Sequence, residues 1–281
     1  MIPSTSSRAS RPQLLTPDAI RSGLKTERFG RTLHLYDRIE STNAVALALA
    51  EQGADEGTVI LADSQTQGRG RMGRHWISPP NVNLYVSIIL RPDRDPDRIG
   101  LWTLSAAVGA ARAIEQATAL PARLKWPNDV LIHHKKVSGL LLESAIQGGE
   151  MKHLVLGIGL NVNLFRDLLP ESLRDSVTSL REELGHELDR IELLQRLLEQ
   201  LELQYQSFRT EPLHKILEAY VPLSETLGQT VLVRSPDGEW TGKATGLTAD
   251  GDLIVQRTDG REKVFRSGDV IHVRPSHAAR D

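Results

Sequence analysis

Two nearly continuous apolar runs, GTVILADSQ at 57–65 and NLYVSIILR at 83–91, are the strongest constraint on the fold. Runs of this length and composition are typical of strands buried in a sheet, so a sheet core is expected with both segments inside it. The segment between them, GRGRMGRHW at 68–76, is therefore a long connection tied at each end to a core strand. Its glycines leave the backbone free to move, and its guanidiniums can pair with phosphate or carboxylate oxygens, which suits a mobile cationic lid. It lacks the order of a nucleotide P-loop and the strand-turn-helix setting of a dinucleotide fingerprint. The alternative is a solvated loop whose charges do nothing.

The remaining segments fill in a mixed α/β plan. TLHLYDRI at 32–39 alternates as a strand, and STNAVALALAEQG follows as a short helix with Ser41 or Thr42 as cap and Gly53 as stop. A further short helix is expected from Thr16, with Pro17 at its first position, to about Lys25. Residues 98–117 carry a helical period. ARLKWP, DVLIH and KVSGLLLESAI read as three antiparallel strands, with Pro127-Asn128-Asp129 and His133 to Lys135 as turns. HLVLGIGLNVN at 153–163 is another strand, where Gly157 and Gly159 signal a bulge or a ligand lying against the backbone. Ile191, Leu194, Leu198, Leu201, Tyr205 and Phe208 mark one face of a long helix packed on the main domain. From about residue 225, TVLVRS, EWTGKATGLT, DLIVQR, EKVFRS and DVIHVR are five short strands of a small barrel. The expected division is a disordered leader at 1–15, a main domain at 16–224 and a small domain at 225–281.

Charge and composition exclude several classes. With 34 Lys and Arg against 36 Asp and Glu, the net charge of −2 argues against a protein that coats nucleic acid, so any basic site is local. The absence of cysteine rules out disulfides, thiolate metal sites and a cysteine nucleophile. No stretch approaches the roughly 20 apolar residues of a membrane span, and the N-terminus lacks a signal-peptide core, so the expected setting is the cytoplasm.

Individual polar residues carry two readings each. Helix capping alone explains Ser41, Thr42 or Asn43, although three small polar side chains at a helix N-terminus also suit a compact polar ligand. Lys125, at the end of a buried strand, is costly unless it meets an anion; otherwise it snorkels while Asn128 and Asp129 form an Asx turn. His133 and His134 read as turn residues rather than metal ligands, and no metal-binding side chains are assigned.

Taken in order, STN before a helix, SQTQGRGRMGRHW, NLYVSIIL, KWPND, KKVSGLLLE and GIGLNVN resemble the biotin–protein ligases over residues 35 to 165. One such motif is weak; six in order are specific. The resemblance implies an α/β (α+β) catalytic domain with a mixed central sheet flanked by helices, related to class II aminoacyl-tRNA synthetases, followed by an SH3-like small β-barrel. It implies formation of biotinyl-5′-AMP from biotin and ATP with Mg²⁺, then transfer of biotin to a lysine of a biotin carboxyl carrier protein. By position, Ser41, Thr42, Asn43 and Gln65 would bind biotin. Arg69, Gly70 and Arg71 would close over biotin and the adenylate, and Lys136 would contact biotinyl and phosphate oxygens. Lys125, Asn128 and Asp129 would serve the nucleotide, with Gly139 and Asn161 lining the same pocket; Arg71 and Lys136 would be the catalytic pair. Met72 stands where many members have arginine, and Arg274 matches only loosely the family's C-terminal arginine near the adenylate. Some members carry an N-terminal helix-turn-helix and repress biotin synthesis. The short polar segment before residue 35 leads instead to the expectation of an enzyme without operator binding, monomeric or homodimeric. The competing readings are a lipoate-protein ligase type of acyl-adenylating enzyme and a biotin-sensing regulator.

Overall fold

The computed structural model describes residues 14–92, 98–147 and 150–273. The leader expected at 1–15 lies almost wholly outside them, as does Arg274. Seven strands form the main sheet in the order β1-β2-β3-β7-β6-β5-β4. These are β1 (Leu33–Ile39), β2 (Val59–Gln65), β3 (Leu84–Leu90), β4 (Arg123–Lys125), β5 (Asp129–Ile132), β6 (Lys135–Gln147) and β7 (Glu150–Leu160). Only β1 and β2 pair in parallel; every other neighbour is antiparallel, so the sheet is mixed.

Strand alternation decides what each face does. Leu84, Val86, Ile88 and Leu90 of β3 and Leu154, Leu156, Ile158 and Leu160 of β7 point into one large core. That core is covered by helices α3 (Ile99–Thr118) and α5 (Arg190–Thr210), which pack on each other. The small residues of α3, Ala106, Ala107, Gly109, Ala110 and Ala111, let it lie close, and α5 buries Leu194, Leu198, Leu201, Tyr205 and Phe208. Of the six apolar positions expected on that helix face, Ile191 alone is only partly buried. Short helix α1 (Pro17–Ser22) is capped by Thr16, whose hydroxyl accepts from Ala19 N; it stops at Gly23, before the expected Lys25.

The opposite face is only partly covered. Helix α2 (Thr42–Glu51) lies on β2, β3 and β7, packing Ala46 and Ala50 against Ile60, Ile89 and Val155. Beyond the N-terminus of α2 the same face carries Ser87, Gly157 and Gly159, and a cleft opens there.

Two short helices, α4 (Leu180–Leu184) and α6 (His214–Tyr220), precede the second sheet. That sheet contains all five expected strands: β8 (Thr230–Ser235), β9 (Gly238–Leu247), β10 (Leu253–Gln256), β11 (Glu262–Phe265) and β12 (Asp269–His272). They are antiparallel in the order β11-β10-β9-β8-β12. Its inner residues Val231, Val233, Ala244, Leu253, Val255 and Phe265 join the large core of the main sheet. Trp126 fixes the junction: its Nε1 donates to Gly251 O at 3.0 Å, and its backbone N donates to Thr226 Oγ1 at 3.0 Å. No helix among the described residues is long and apolar enough to cross a membrane.

Candidate active site

Register aligns the cleft floor. Lys125 faces Asp129, Asp129 faces Gly139, Gly139 faces Gly159 and Gly159 faces Tyr85, so one row crosses five strands. Directly paired residues share a face, so two charged side chains stand beside two positions with no side chain. The next row on that face holds Leu141, Gly157 and Ser87, and the one beyond it Glu143, Val155 and Ile89. Lys136 reaches this face through a bulge: Val130 pairs with Ser138 and Leu131 with Lys136, leaving Val137 unpaired in the ladder. Lys136 Nζ then lies 2.5 Å from Asp129 Oδ1.

The ladder runs without interruption through Gly157 and Gly159, so the bulge expected there is absent. The glycines instead make room for side chains of the chain itself. A Cβ at Gly157 would overlap Asn43 Oδ1, and one at Gly159 would overlap the Trp76 indole. Gly139 is similar, with Trp76 and Lys136 each 3.0 Å from where a Cβ would stand.

At the α2 end of the cleft the polar groups satisfy one another. Ser41 occupies the N-cap position but makes no side-chain cap bond, so the capping expectation is corrected. Thr42 and Asn43 are buried and turn inward. Gln65 Oε1 accepts from Thr42 N at 2.8 Å and Thr42 Oγ1 at 3.1 Å, while Gln65 Nε2 donates to Ser78 Oγ at 3.0 Å. Ser87 Oγ is 2.6 Å from Asn43 Oδ1 and 2.8 Å from Thr42 Oγ1; Asn43 Nδ2 donates to Glu143 Oε2 at 2.7 Å. Ser87 and Glu143 were not anticipated. The signal was there in part: a serine within an otherwise apolar run, and a glutamate closing GLLLE.

Residues 68–76 form a small hairpin rather than a loose loop. Gly70 N donates to Arg74 O at 2.7 Å and Trp76 N to Gly68 O at 2.8 Å, and Arg69 bridges His75. The tip turns through Met72 and Gly73, both with positive φ, 55° and 72°. The hairpin brings its three arginines to three places. Arg69 is half-exposed, 3.5 Å from Glu143. Arg71 Nη1 donates to Asn128 Oδ1 at 3.1 Å and to Gly268 O at 3.4 Å, and Arg74 meets Asp269 at 2.5 Å. Asn128 also donates through Nδ2 to Leu140 O at 2.6 Å, so its side chain is used across the cleft wall and not in a local Asx turn.

Burial lowers the pKa of both Lys125 and Arg71, with Asp129 opposing the shift in each case. The hydrogen bond to Asp269 raises that of Arg74. Asn161, expected in the pocket, lines the cleft, but its side chain is engaged at both ends: Nδ2 donates to Thr178 O and Oδ1 accepts from Asn83. His133 and His134 occupy the β5–β6 turn with positive φ and pair with Glu183 and Glu225, as turn residues. The cleft measures about 800 Å³ and borders every site residue expected from the sequence.

The sequence and the fold that carry this cleft match known proteins. Residues 35–161 match the biotin/lipoate A/B protein ligase family, and residues 226–273 match the biotin protein ligase C terminal domain. The chain is 36% identical to a Bacillus subtilis protein named bifunctional ligase/repressor BirA, over 91% of this chain and 78% of that one. It is 34% identical to a Mycobacterium tuberculosis protein named biotin–acetyl-CoA-carboxylase ligase, over 87% of this chain and 90% of that one. Among solved structures, a biotin protein ligase from Aquifex aeolicus in complex with biotin and ATP superposes with a TM-score of 0.74 at 31% identity, covering 87% of this chain and all of that one. The chain belongs to the biotin protein ligase family.

Proposed function

We propose that this protein makes biotinyl-5′-AMP from biotin and ATP and transfers the biotinyl group to a lysine of a biotin carboxyl carrier protein of acetyl-CoA carboxylase. The observation that carries this reading is the row Lys125–Asp129–Gly139–Gly159, with Lys136 beside it and Arg71 above. The names of the Mycobacterium relative and of the Aquifex complex support it.

In the first step a carboxylate oxygen of biotin bonds to the α-phosphorus of ATP, and pyrophosphate leaves. Two anions must approach, and Lys136, Arg71 and Lys125 offset their repulsion and the charge that develops at phosphorus. In the second step an uncharged lysine amine bonds to the acyl carbon, AMP leaves with the bonding electrons, and the nitrogen gives up a proton to water. No side chain need form a covalent bond; the chain positions and excludes water. Ser41, Thr42, Asn43 and Gln65 take the biotin head. Arg69, Gly70 and Arg71 cover the acyl phosphate, and Asn128, Asp129, Gly139 and Asn161 frame the nucleotide. Asp129 borders the cations, and a phosphate-borne Mg²⁺, which needs only one or two protein carboxylates, would be held beside it. When bound it would offset triphosphate charge. We assign the catalytic domain to residues 16–224, the SH3-like domain to 225–281, and the site of action to the cytoplasm.

Incubation with ATP, Mg²⁺ and labelled biotin or labelled lipoate tests the assignment. Biotinyl-adenylate, and labelled carrier domain once that is added, is the expected product. Lipoyl-adenylate without biotinyl-adenylate would overturn it.

A further inference from the structure

The arginines that flank the hairpin's tip, Arg71 and Arg74, both reach the other sheet. Arg74 meets Asp269 at 2.5 Å and Arg71 reaches the carbonyl of Gly268, so the first residue of β12 and the one before it receive two of the hairpin's three arginines. Toward the main sheet, the contacts are Arg71 with Asn128 at 3.1 Å and Arg69 with Glu143 at 3.5 Å.

The anchor is packed into the small sheet. Asp269 is registered against Arg234 of β8, and a Cβ at Gly268 would come within 2.8 Å of Val233, so the turn is packed tightly. The small sheet is in turn fixed to the main one through Trp126 and through Glu225 N, which donates to Leu124 O at 2.8 Å. The hairpin has its own cross-bonds, so fixing the tip also fixes Arg69 and the Trp76 indole that lies on Gly159.

We propose that Asp269 is a positioning residue that acts through Arg74, latching the hairpin to the C-terminal sheet and so setting how long it stays closed over the acyl-adenylate. The retention part rests on the function proposed above; the latch itself does not. A lid must also open, and this pair suits that need. The Arg74 side chain is 58% exposed and that of Asp269 25%, and such pairs contribute a few-fold rather than orders of magnitude.

The test uses the full chain with Asp269→Asn, Arg74→Gln, the double variant and Asp269→Glu. Hydrogen exchange at the Gly70, Arg74 and Trp76 amides reads hairpin opening without ligand. Single-turnover decay of enzyme-bound adenylate reads retention. Asp269→Asn is expected to speed exchange and shorten retention about three-fold. It should change neither further in the Arg74→Gln background, and Asp269→Glu should restore both. Unchanged exchange in Asp269→Asn, or the same factor in both backgrounds, overturns the latch. A wild-type protein that makes no acyl-adenylate overturns the proposed function, while the exchange data still decide the latch.

Discussion

At one end of the cleft Thr42, Asn43, Gln65, Ser78, Ser87 and Glu143 hydrogen-bond one another; at the other, Arg71, Lys125 and Lys136 gather around Asn128 and Asp129. The first end is a closed network of mostly uncharged groups, each held by its neighbours before any ligand contributes. Such a network recognises a neutral, hydrogen-bonding group by shape and register, because a wrong partner leaves buried polar atoms unpaired. The second end concentrates positive charge that its carboxylates only partly offset, and burial lowers the pKa of Lys125 and Arg71. Charge held in this way is costly to the fold and useful to a reaction that joins two anions. On the proposed function the first end selects and the second activates, so substitutions at the two should fail differently.

The largest effect is expected at the activation end. Arg71→Ala removes a cation that touches Asn128 on the main sheet and Gly268 on the small one. Loss of one such preorganised group costs on the order of 10² in the rate of adenylation. The hairpin loses a hold as well, so intermediate should escape and label lysines indiscriminately. Rapid-quench kinetics with biotin and mass spectrometry of bystander proteins measure the two effects. An unchanged biotin Kd alongside the lost rate would confirm the division of labour; unchanged adenylate release would remove the lid argument.

A smaller and opposite failure is expected at the specificity end. Gly157→Ala drives a methyl group into Asn43 Oδ1, which is held by Ser87 on one side while its amide is held by Glu143 on the other. Overpacking of this kind costs about 1–3 kcal/mol. Biotin affinity should fall roughly ten-fold or more by that measure, while kcat at saturating biotin stays near that of the wild type. Titration calorimetry with biotin, set beside saturated turnover, separates the two; a kcat that falls with unchanged affinity would put Asn43 at the wrong end of the cleft.

How much of this division the sequence disclosed depends on how local each signal is. The strands and long helices were legible because apolar periodicity is local, and all five short strands after residue 225 appear where turn residues separate them. The cationic residues were legible too, through KWPND, the arginine segment and Lys136. What stayed hidden depends on register between distant segments. Nothing near Gly157 says that its partner in space is Asn43, so its glycine read as a bulge or as room for a ligand, while a bulge that does occur, at Val137, carries no glycine at all. Asp269 was missed for the same reason: its role comes from a contact with Arg74, and SGDV reads only as a turn entering a strand. The glycines of the hairpin report backbone freedom, which suits a lid, but not the salt bridge between Arg74 and Asp269 that meets it when closed.

The smallest effect is the most direct test of the claim that the activation end stores cost. Lys125→Met keeps the length of the side chain and removes its charge. Burial holds the Lys125 pKa below that of an ordinary lysine, so at neutral pH the folded state carries a charged group in a setting that disfavours it. The variant should therefore be more stable without ligand, by on the order of 1 kcal/mol, while its KM for ATP rises. The pH dependence follows from linkage. Between the depressed folded pKa and the ordinary lysine value the unfolded chain binds more protons, so wild-type stability from this group rises with pH across that window. The variant has no such rise, so its advantage should be full at neutral pH and shrink as pH approaches 10.5, the ordinary lysine value. Thermal melts of both proteins from pH 7 to 10 measure it. A variant less stable at neutral pH would mean that Asp129 and Asp269 already compensate Lys125 fully, and the contrast between the two ends would then rest on Arg71 alone.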